Sequence, residues 1–303
     1  MTVVNDSARP DLQHILTATQ LAALPQSAIR LLELARDTCF GPADYAVPIE
    51  ADPGLTGQVL KFVNSSYFGF SRKISSVKAG ISLVGVRTIK NFVLWNAVFS
   101  LVPNPRCGTF DLKGLWQDSL RRALFARAVA KLLGLKSTEE VFTAALLQDM
   151  AVPLLAKEFT QAYAKLLKAR NEGRRRLSNL ENEAFGWTHG QAAGLLVRAW
   201  NLPEEFAVLI EEHTGGNADD KKPAELGKCI VALSALLPSA ADSFWIECSQ
   251  WEEAFGRICL SLATPDGLLN QVDREFAEFA PVLKVTAPRR SLAESHQEAL
   301  ELV

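Results

Sequence analysis

The sequence has little of what marks several large protein classes. Its five cysteines, Cys39, Cys107, Cys229, Cys248 and Cys259, are odd in number, scattered and never in a C-x-x-C pair. That argues against a disulfide framework and a zinc knuckle, and fits a reducing compartment. The net charge is only −2, so the chain lacks the strong basic balance of a nucleic-acid-binding domain. No apolar run is long enough to span a bilayer; the richest, Phe92 to Val102, is interrupted by Asn96 and Ser100. Met1 to Pro10 has no basic patch followed by an apolar core, so no secretory signal is expected and the expected location is the cytoplasm. The Gly-x-x-x-x-Gly-Lys-Ser/Thr and Gly-x-Gly-x-x-Gly phosphate loops are absent, as is the Gly-x-Ser-x-Gly hydrolase elbow. No segment alternates in the manner of a strand, and no repeat of fixed period occurs.

What is present is helical. The chain has 303 residues, of which 48% are hydrophobic, enough for one large domain or two packed subdomains. Residues 1 to about 20 are weakly patterned, with room for a short helix. Organisation begins at Leu24-Pro25, with Ile29, Leu32 and Ala35 at helical spacing. A short helix is expected around Asp44 to Ile49. Asp52-Pro53 reads as an N-cap with proline in the first turn, followed by the stripe Leu55, Val59, Phe62 and Val63. Asn64 to Gly69 is a turn containing two aromatics. Ser75 or Ser76 caps a helix with Val77, Ile81 and Val84 inward, which Gly85 ends. Ile89, Phe92, Val93 and Asn96 lie on a helix apolar almost all round, hence buried. Pro103 to Gly108 is the clearest break and the expected subdomain boundary.

The second half opens on a long helix, with Leu115, Leu124, Phe125, Val129, Leu132 and Leu133 expected inside and Arg121, Arg122 and Arg127 outside. Ser137-x-x-Glu140 and Ser178-x-x-Glu181 read as capping boxes. Thr188 starts a helix with Ala192, Leu195, Leu196 and Ala199, and Asn201-Leu202-Pro203 starts another. Gly215 to Pro223 reads as a mobile polar loop, and Leu226 to Leu237 as a buried helix. Two or three amphipathic helices follow between Pro238 and Pro281, around Trp245 to Leu262 and Pro265 to Phe279. The last twenty residues are poorly patterned. The expected fold is all-α, about a dozen helices in two packed bundles with a helical C-terminal tail.

Three polar residues stand out on inward faces. Asp149 ends the face Phe142, Ala145, Leu146. His189 lies three residues before Ala192, and His213 continues the face Phe206, Leu209, Ile210. A buried carboxylate must be paired, hydrogen-bonded or metal-bound. The set reads either as a metal or phosphate site in a bundle or as a hydrogen-bonded cluster, and the second weighs more, since no short ligand spacing such as H-E-x-x-H is present. The basic run Arg170, Arg174, Arg175, Arg176 reads as a solvated loop before it reads as a phosphate or nucleotide site, because no aromatics interleave it. The corner Asn64, Ser65, Tyr67, Phe68, with Arg72 and Lys73 beside it, either exposes two aromatics to a partner or packs them into the core.

Taken in order, several motifs resemble one family. Leu24-Pro25 with Leu31-Leu32-Glu33-Leu34, Asp52-Pro53-Gly54-Leu55-Thr56, Asn64-Ser65-Ser66-Tyr67-Phe68-Gly69 and Ile74-Ser75-Ser76-Val77-x-x-Gly80-Ile81 are similar to the HDOD domain, the HD-related output domain of bacterial signalling proteins. Leu115-Trp116-x-x-Ser119-Leu120, Phe142-x-x-Ala145-Leu146-Leu147-Gln148-Asp149, Glu181-x-x-x-Phe185-Gly186-x-x-His189 and Trp200-Asn201-Leu202-Pro203-Glu204 continue the resemblance to about Leu237.

The resemblance implies residues 21–107 as an N-terminal bundle, 108–237 as an HD-like bundle and 238–303 as a C-terminal extension, after a variable segment 1–20. It also implies a vestigial site. Relatives that hydrolyse phosphoesters hold a metal with an early histidine, a His-Asp pair and a later aspartate. Here Asp118 stands at the early position, Gln148-Asp149 at the pair, and no aspartate stands near Leu233-Ser234. The expectation is therefore a non-catalytic regulatory module without cofactor or metal, acting on a signalling protein in trans or on a small nucleotide. Asp118, Gln148, Asp149, His189 and His213 would form its pocket. The Pro238 to Phe279 helices would offer a partner or homodimer surface. The alternative is a degenerate metal-dependent phosphohydrolase acting on a nucleotide or cyclic dinucleotide.

Overall fold

The computed structural model describes residues 12, 24–34, 39–215, 225–281 and 283–301. The helix expected before residue 21, Ala35, and most of the polar loop after Gly215 lie outside them. Every regular element among the described residues is helical.

The N-terminal part comprises α1 (Gln26–Leu34), α2 (Pro42–Glu50), α3 (Pro53–Val63), a 3-10 turn (Ser66–Phe68), α4 (Val77–Val84) and α5 (Val86–Leu101). Asp52 caps α3 by accepting from the Leu55 N–H at 3.0 Å, and Pro53 fills the first turn, where no N–H is missed. The expected stripe Leu55, Val59, Phe62 and Val63 is buried. Ser76 caps α4. Gly85 stands at φ +96°, ψ 143°, which lets the chain turn directly from α4 into α5.

The second part is built on α6 (Leu112–Leu132), with α7 (Thr138–Leu147), α8 (Ala151–Glu158), α9 (Thr160–Ala169), α10 (Leu177–Phe185), α11 (His189–Ala199), α12 (Glu204–Glu211) and α13 (Leu226–Ala235) around it. The C-terminal part adds α14 (Cys248–Cys259), α15 (Pro265–Phe279) and α16 (Leu292–Glu301). One contiguous apolar core runs through all three parts, from Leu24 to Ala299. Across the Pro103–Gly108 break, α5 packs on α7; α13 and α15 both pack on α6.

That packing corrects several expectations. Arg121 and Arg127 are 2% and 3% exposed rather than outward, and Arg122 is largely covered. The reason is that α7, α13 and α15 pack around α6, so between Gly114 and Ala130 it keeps no exposed residue. Arg127 shows how such burial is met: it pairs with Glu275 of α15 at 2.9 Å and lies over the Phe142 ring at 4.8 Å. The last twenty residues hold α16, whose Leu292 and Ala293 N–H groups donate to Asp273 of α15 at 2.9 and 3.0 Å. Ser291 and Glu294 also form a reciprocal capping box there, the Glu294 N–H donating to Ser291 Oγ at 3.1 Å and the Ser291 N–H to the Glu294 carboxylate at 2.8 Å, a local signal present in the sequence and missed in reading these residues as poorly patterned. The apolar face of α15, with Leu268, Leu269, Val272, Phe276 and Phe279, is buried within the chain rather than free for a second copy.

The two capping boxes also fail. Ser137 makes no capping hydrogen bond; the Thr138 hydroxyl donates to the Leu135 carbonyl instead. The helix carrying Ser178 starts one residue earlier, at Leu177, so Ser178 sits inside the first turn and Glu181 is released for another role.

The aromatic corner is packed, not displayed. Asn64 ties it: its Nδ2 donates to the Leu60 and Ile74 carbonyls at 2.7 and 2.8 Å, and its Oδ1 accepts from the Ile74 N–H at 2.7 Å. Phe68 meets Phe62 edge-on, and Tyr67 meets Phe279 edge-on at 4.9 Å. Phe279 belongs to α15, so the extension covers this corner. Ser65 is half-buried, and Arg72 and Lys73 remain exposed.

Candidate functional site

Asp149 follows α7, His189 opens α11 and His213 follows α12. Their tertiary placement brings Asp149 Oδ1 within 3.3 Å of His189 Nε2 and 3.7 Å of His213 Nε2. The two Nε2 atoms are 3.2 Å apart. Both rings are held from behind. His189 Nδ1 lies 2.7 Å from Glu181 Oε2, and the same carboxylate oxygen accepts the His189 backbone N–H at 2.8 Å. Glu181 Oε1 accepts from the Tyr163 hydroxyl. His213 Nδ1 lies 2.5 Å from the Ile210 carbonyl. Asp149 Oδ2 accepts from the guanidinium of Arg122, which arrives from α6.

The electrostatics follow from these partners. Burial works against the Asp149 charge, but Arg122 and the hydrogen bond from His189 outweigh it and hold the carboxyl well below the ordinary carboxylate range. Burial likewise disfavours a charged His189, yet Glu181 and Asp149 outweigh it and lift the imidazole to about 9. His213 goes the other way: burial and the neighbouring His189 charge lower it. A consistent assignment has His189 charged and donating from Nε2, and His213 neutral, donating from Nδ1 to Ile210. Opposite charges then alternate along Glu181, His189, Asp149 and Arg122.

Arg122, Asp149, His189 and His213 line a cavity of 580 Å³ together with Asp118, Lys168, Arg170, Arg176, Ser178, Asp242 and Arg289. Its walls come from α6, from the α9–α10 turn and from the segment before α14. Asp118 faces it, but its carboxylate is engaged, accepting from the Ser239 hydroxyl at 2.5 Å and the Ala240 N–H at 2.7 Å. Arg170 pairs with Asp242, whose carboxyl burial pushes up to about 6. Gly173, at φ +95°, lets this turn approach the Phe244 carbonyl so closely that a Cβ would stand 2.4 Å from it.

Of the residues expected in the pocket, Asp118, Asp149, His189 and His213 are brought together. Gln148 is not: it is fully buried, does not line the cavity, and neither polar atom of its amide has a partner among the described residues. The arginine run, read as a solvated loop, is divided: Arg174 stacks on the Phe244 ring at 3.7 Å, Arg175 pairs with Glu183, and Arg176 reaches the cavity.

Two residues were missed. Arg122 lies one helical turn from Asp118, so the spacing already put it on the candidate face. Glu181 lies four residues from both Leu177 and Phe185, a buried-face acid by the reasoning applied to Asp149.

A divalent ion can be tested against this arrangement. Asp149 Oδ1 and the two Nε2 atoms have separations suited to one coordination sphere, and Glu181 and the Ile210 carbonyl orient the imidazoles as carboxylates and carbonyls do behind metal-bound histidines. Against that, the positive charge Asp149 requires is already supplied by Arg122, and Asp118 is turned to the 239–240 backbone.

An all-helical domain with an aspartate and two histidines converging between its helices defines an HD-like module. The chain belongs to the HDOD family: the family model, described as HDOD domain, matches residues 21–215. Among solved structures, it is similar to an HDOD domain protein of unknown function from Geobacter sulfurreducens, at TM-score 0.63 and 18% identity over 96% of this chain and 94% of that one. A protein from Shewanella amazonensis SB2B, provisionally named a phosphohydrolase, aligns at TM-score 0.66 and 20% identity over 90% of this chain and 98% of that one. A provisionally named signal transduction protein from Marinobacter aquaeolei VT8 aligns at TM-score 0.68 and 20% identity over 91% and 62%. At these identities the likeness is one of fold. An uncharacterized protein of Treponema pallidum (strain Nichols) is 23% identical over 200 residues, 65% of this chain and 38% of the relative's length. No helix among the described residues is long and apolar enough to cross a membrane.

Proposed function

We propose that this HDOD chain is a regulatory module that works by binding, and that its central cavity takes a small anionic ligand rather than turning over a phosphoester. One observation carries the reading: the resident cation on Asp149 is the guanidinium of Arg122. A phosphohydrolase of this fold needs a metal with open positions for water and substrate. Here one oxygen of the diagnostic aspartate is held by arginine and the other faces His189. The cavity volume of 580 Å³ suits a nucleotide-sized molecule, and Lys168, Arg170, Arg176 and Arg289 supply donors for phosphate oxygens. Ligand occupancy would be passed to a signalling protein in trans. The name of the Marinobacter relative is in keeping with such a role.

The test combines two measurements on the intact chain. Elemental analysis after incubation with manganese, magnesium, zinc and iron is expected to find no ion lost in Asp149→Ala. Calorimetry with mononucleotides and cyclic dinucleotides is expected to find a ligand whose affinity falls in Arg176→Ala. Failure of the nucleotides and of simpler phosphoesters alike to bind would sink the ligand assignment.

A second reading rests on the converging donors. If Asp149, His189 and His213 hold a divalent ion, it would polarise a phosphoryl oxygen and activate water, making the chain a degenerate phosphohydrolase. A stoichiometric metal lost in Asp149→Ala, with metal-dependent phosphodiester cleavage, would establish that reading and overturn the first.

A further inference from the structure

A second cluster of metal-binding side chains lies in the C-terminal extension, among α14, α15 and α16. Cys248 opens α14, and Glu252 follows one turn later on the same helix. His296 projects from α16, where Leu292, Ala293, His296 and Ala299 form the buried face. The thiol, the Glu252 carboxylate and the His296 ring offer ligand atoms that all lie within 4.8 Å of one another.

The histidine is built in. It is 2% exposed, and its ring packs beside Trp245 at 6.0 Å and Trp251 at 5.6 Å between centroids. Nδ1 lies 2.8 Å from Asp266 Oδ1 at the start of α15, and Nε2 lies 3.1 Å from Glu252 Oε1. Asp266 thus fixes the ring orientation and leaves Nε2 facing Glu252. A carboxylate behind the distal nitrogen is the usual support of a metal-bound imidazole. Glu252, though neither Cys248 nor His296, also lines an open cavity with Ser249, Gly256 and Cys259, so an ion would reach the cluster past the Glu252 side chain.

We propose that Cys248, Glu252 and His296 form a zinc site distinct from the Asp149 cluster, with Asp266 as the positioning residue behind His296. One sulfur, one nitrogen and one oxygen donor, completed by a fourth ligand from solvent, is a set that zinc accepts. Around zinc, donor atoms sit about 3.3–3.6 Å apart. His296 Nε2 and Glu252 Oε1 are already at about that spacing, and the Glu252 side chain, 37% exposed, is free to adjust around an ion. As the ion enters, the thiol proton and any proton on Nε2 leave to solvent, and the Nε2–Glu252 hydrogen bond is exchanged for two bonds to metal. The ion would clip α14 to α16 and, through Asp266, to α15. Because α15 covers the Tyr67 corner and packs on α6, the clip would act on the part of the extension that holds both halves together.

The test is titration of the full chain with cobalt(II), followed by zinc competition. One equivalent of cobalt is expected to give a thiolate-to-cobalt charge-transfer band in the near ultraviolet, and zinc is expected to bleach it. The band should vanish in Cys248→Ala and persist in Asp149→Ala, which separates this site from the central one. Asp266→Asn, whose side chain is 58% exposed and dispensable for packing, should weaken zinc binding about 10-fold or more. No thiolate band in the wild type, a band that survives in Cys248→Ala, or an Asp266→Asn affinity equal to wild type would overturn the assignment.

Discussion

Replacing Arg122 with methionine removes the resident cation while keeping most of the side-chain volume. The Arg122 and Asp149 side chains are 13% and 7% exposed. Removing one member of a buried pair typically costs about 3–5 kcal/mol, because the other charge is left behind. Two features reduce that here. His189 remains 3.3 Å from the second Asp149 oxygen, and the pair borders a cavity that water enters. A loss of about 2–3 kcal/mol is therefore expected, which lowers the melting temperature by roughly 3–5 °C for a chain of this size. The acid limb must move as well. The Asp149 carboxyl lies below its ordinary value in the folded state, so its stabilisation is present above the unfolded value and is lost as pH falls through the folded one. Arg122→Met raises the folded value, and acid unfolding should begin at higher pH. The same variant tests function. With the guanidinium gone, a divalent ion is the available replacement, so manganese should raise the melting temperature of Arg122→Met and leave the wild type unchanged. Differential scanning calorimetry with and without manganese reads both effects. A melting temperature equal to wild type, or an equal manganese response in the two proteins, would refute the reasoning.

Glu181→Gln keeps the shape but removes a charge that lifts His189 from 6.5 to about 9. Since the folded value is raised, the wild type should keep this contribution below pH 6.5 and lose it as pH rises through 9; the difference amounts to about 3 kcal/mol at most. Stability measured from pH 6 to 10 should show that alkaline decline in the wild type and little of it in Glu181→Gln; identical profiles would exclude the assignment. Asn64→Ala deletes three hydrogen bonds at the corner between α3 and α4 and should cost about 1–3 kcal/mol by denaturation, with no change at the central cavity. Arg127→Met removes the Glu275 pair and the stacking over Phe142, and should cost about 2–4 kcal/mol. Limited proteolysis should then cut the α15 region sooner than in the wild type, and an unchanged cleavage rate would show that Arg127 does not anchor it.

The sequence by itself determined the secondary structure and most of what faces inward. Helical spacing marked Leu55, Val59, Phe62 and Val63, and the proline and aspartate at 52–53 marked where that helix starts, because both signals act within one turn of chain. The same periodicity put Asp149, His189 and His213 on buried faces. The tertiary structure alone decided how buried charge is met. Arg121, Arg122 and Arg127 look like a solvent face until α13 and α15 close over α6, and Glu181 looks like a cap until α11 presents His189 beside it. Gln148, adjacent to Asp149 in sequence, stays out of the cavity. Local signals say which residues leave water. Which partner each buried charge receives depends on helices distant in sequence, so the Asp149–Arg122 pair and the Asp273 cap on α16 exist only once the chain has packed.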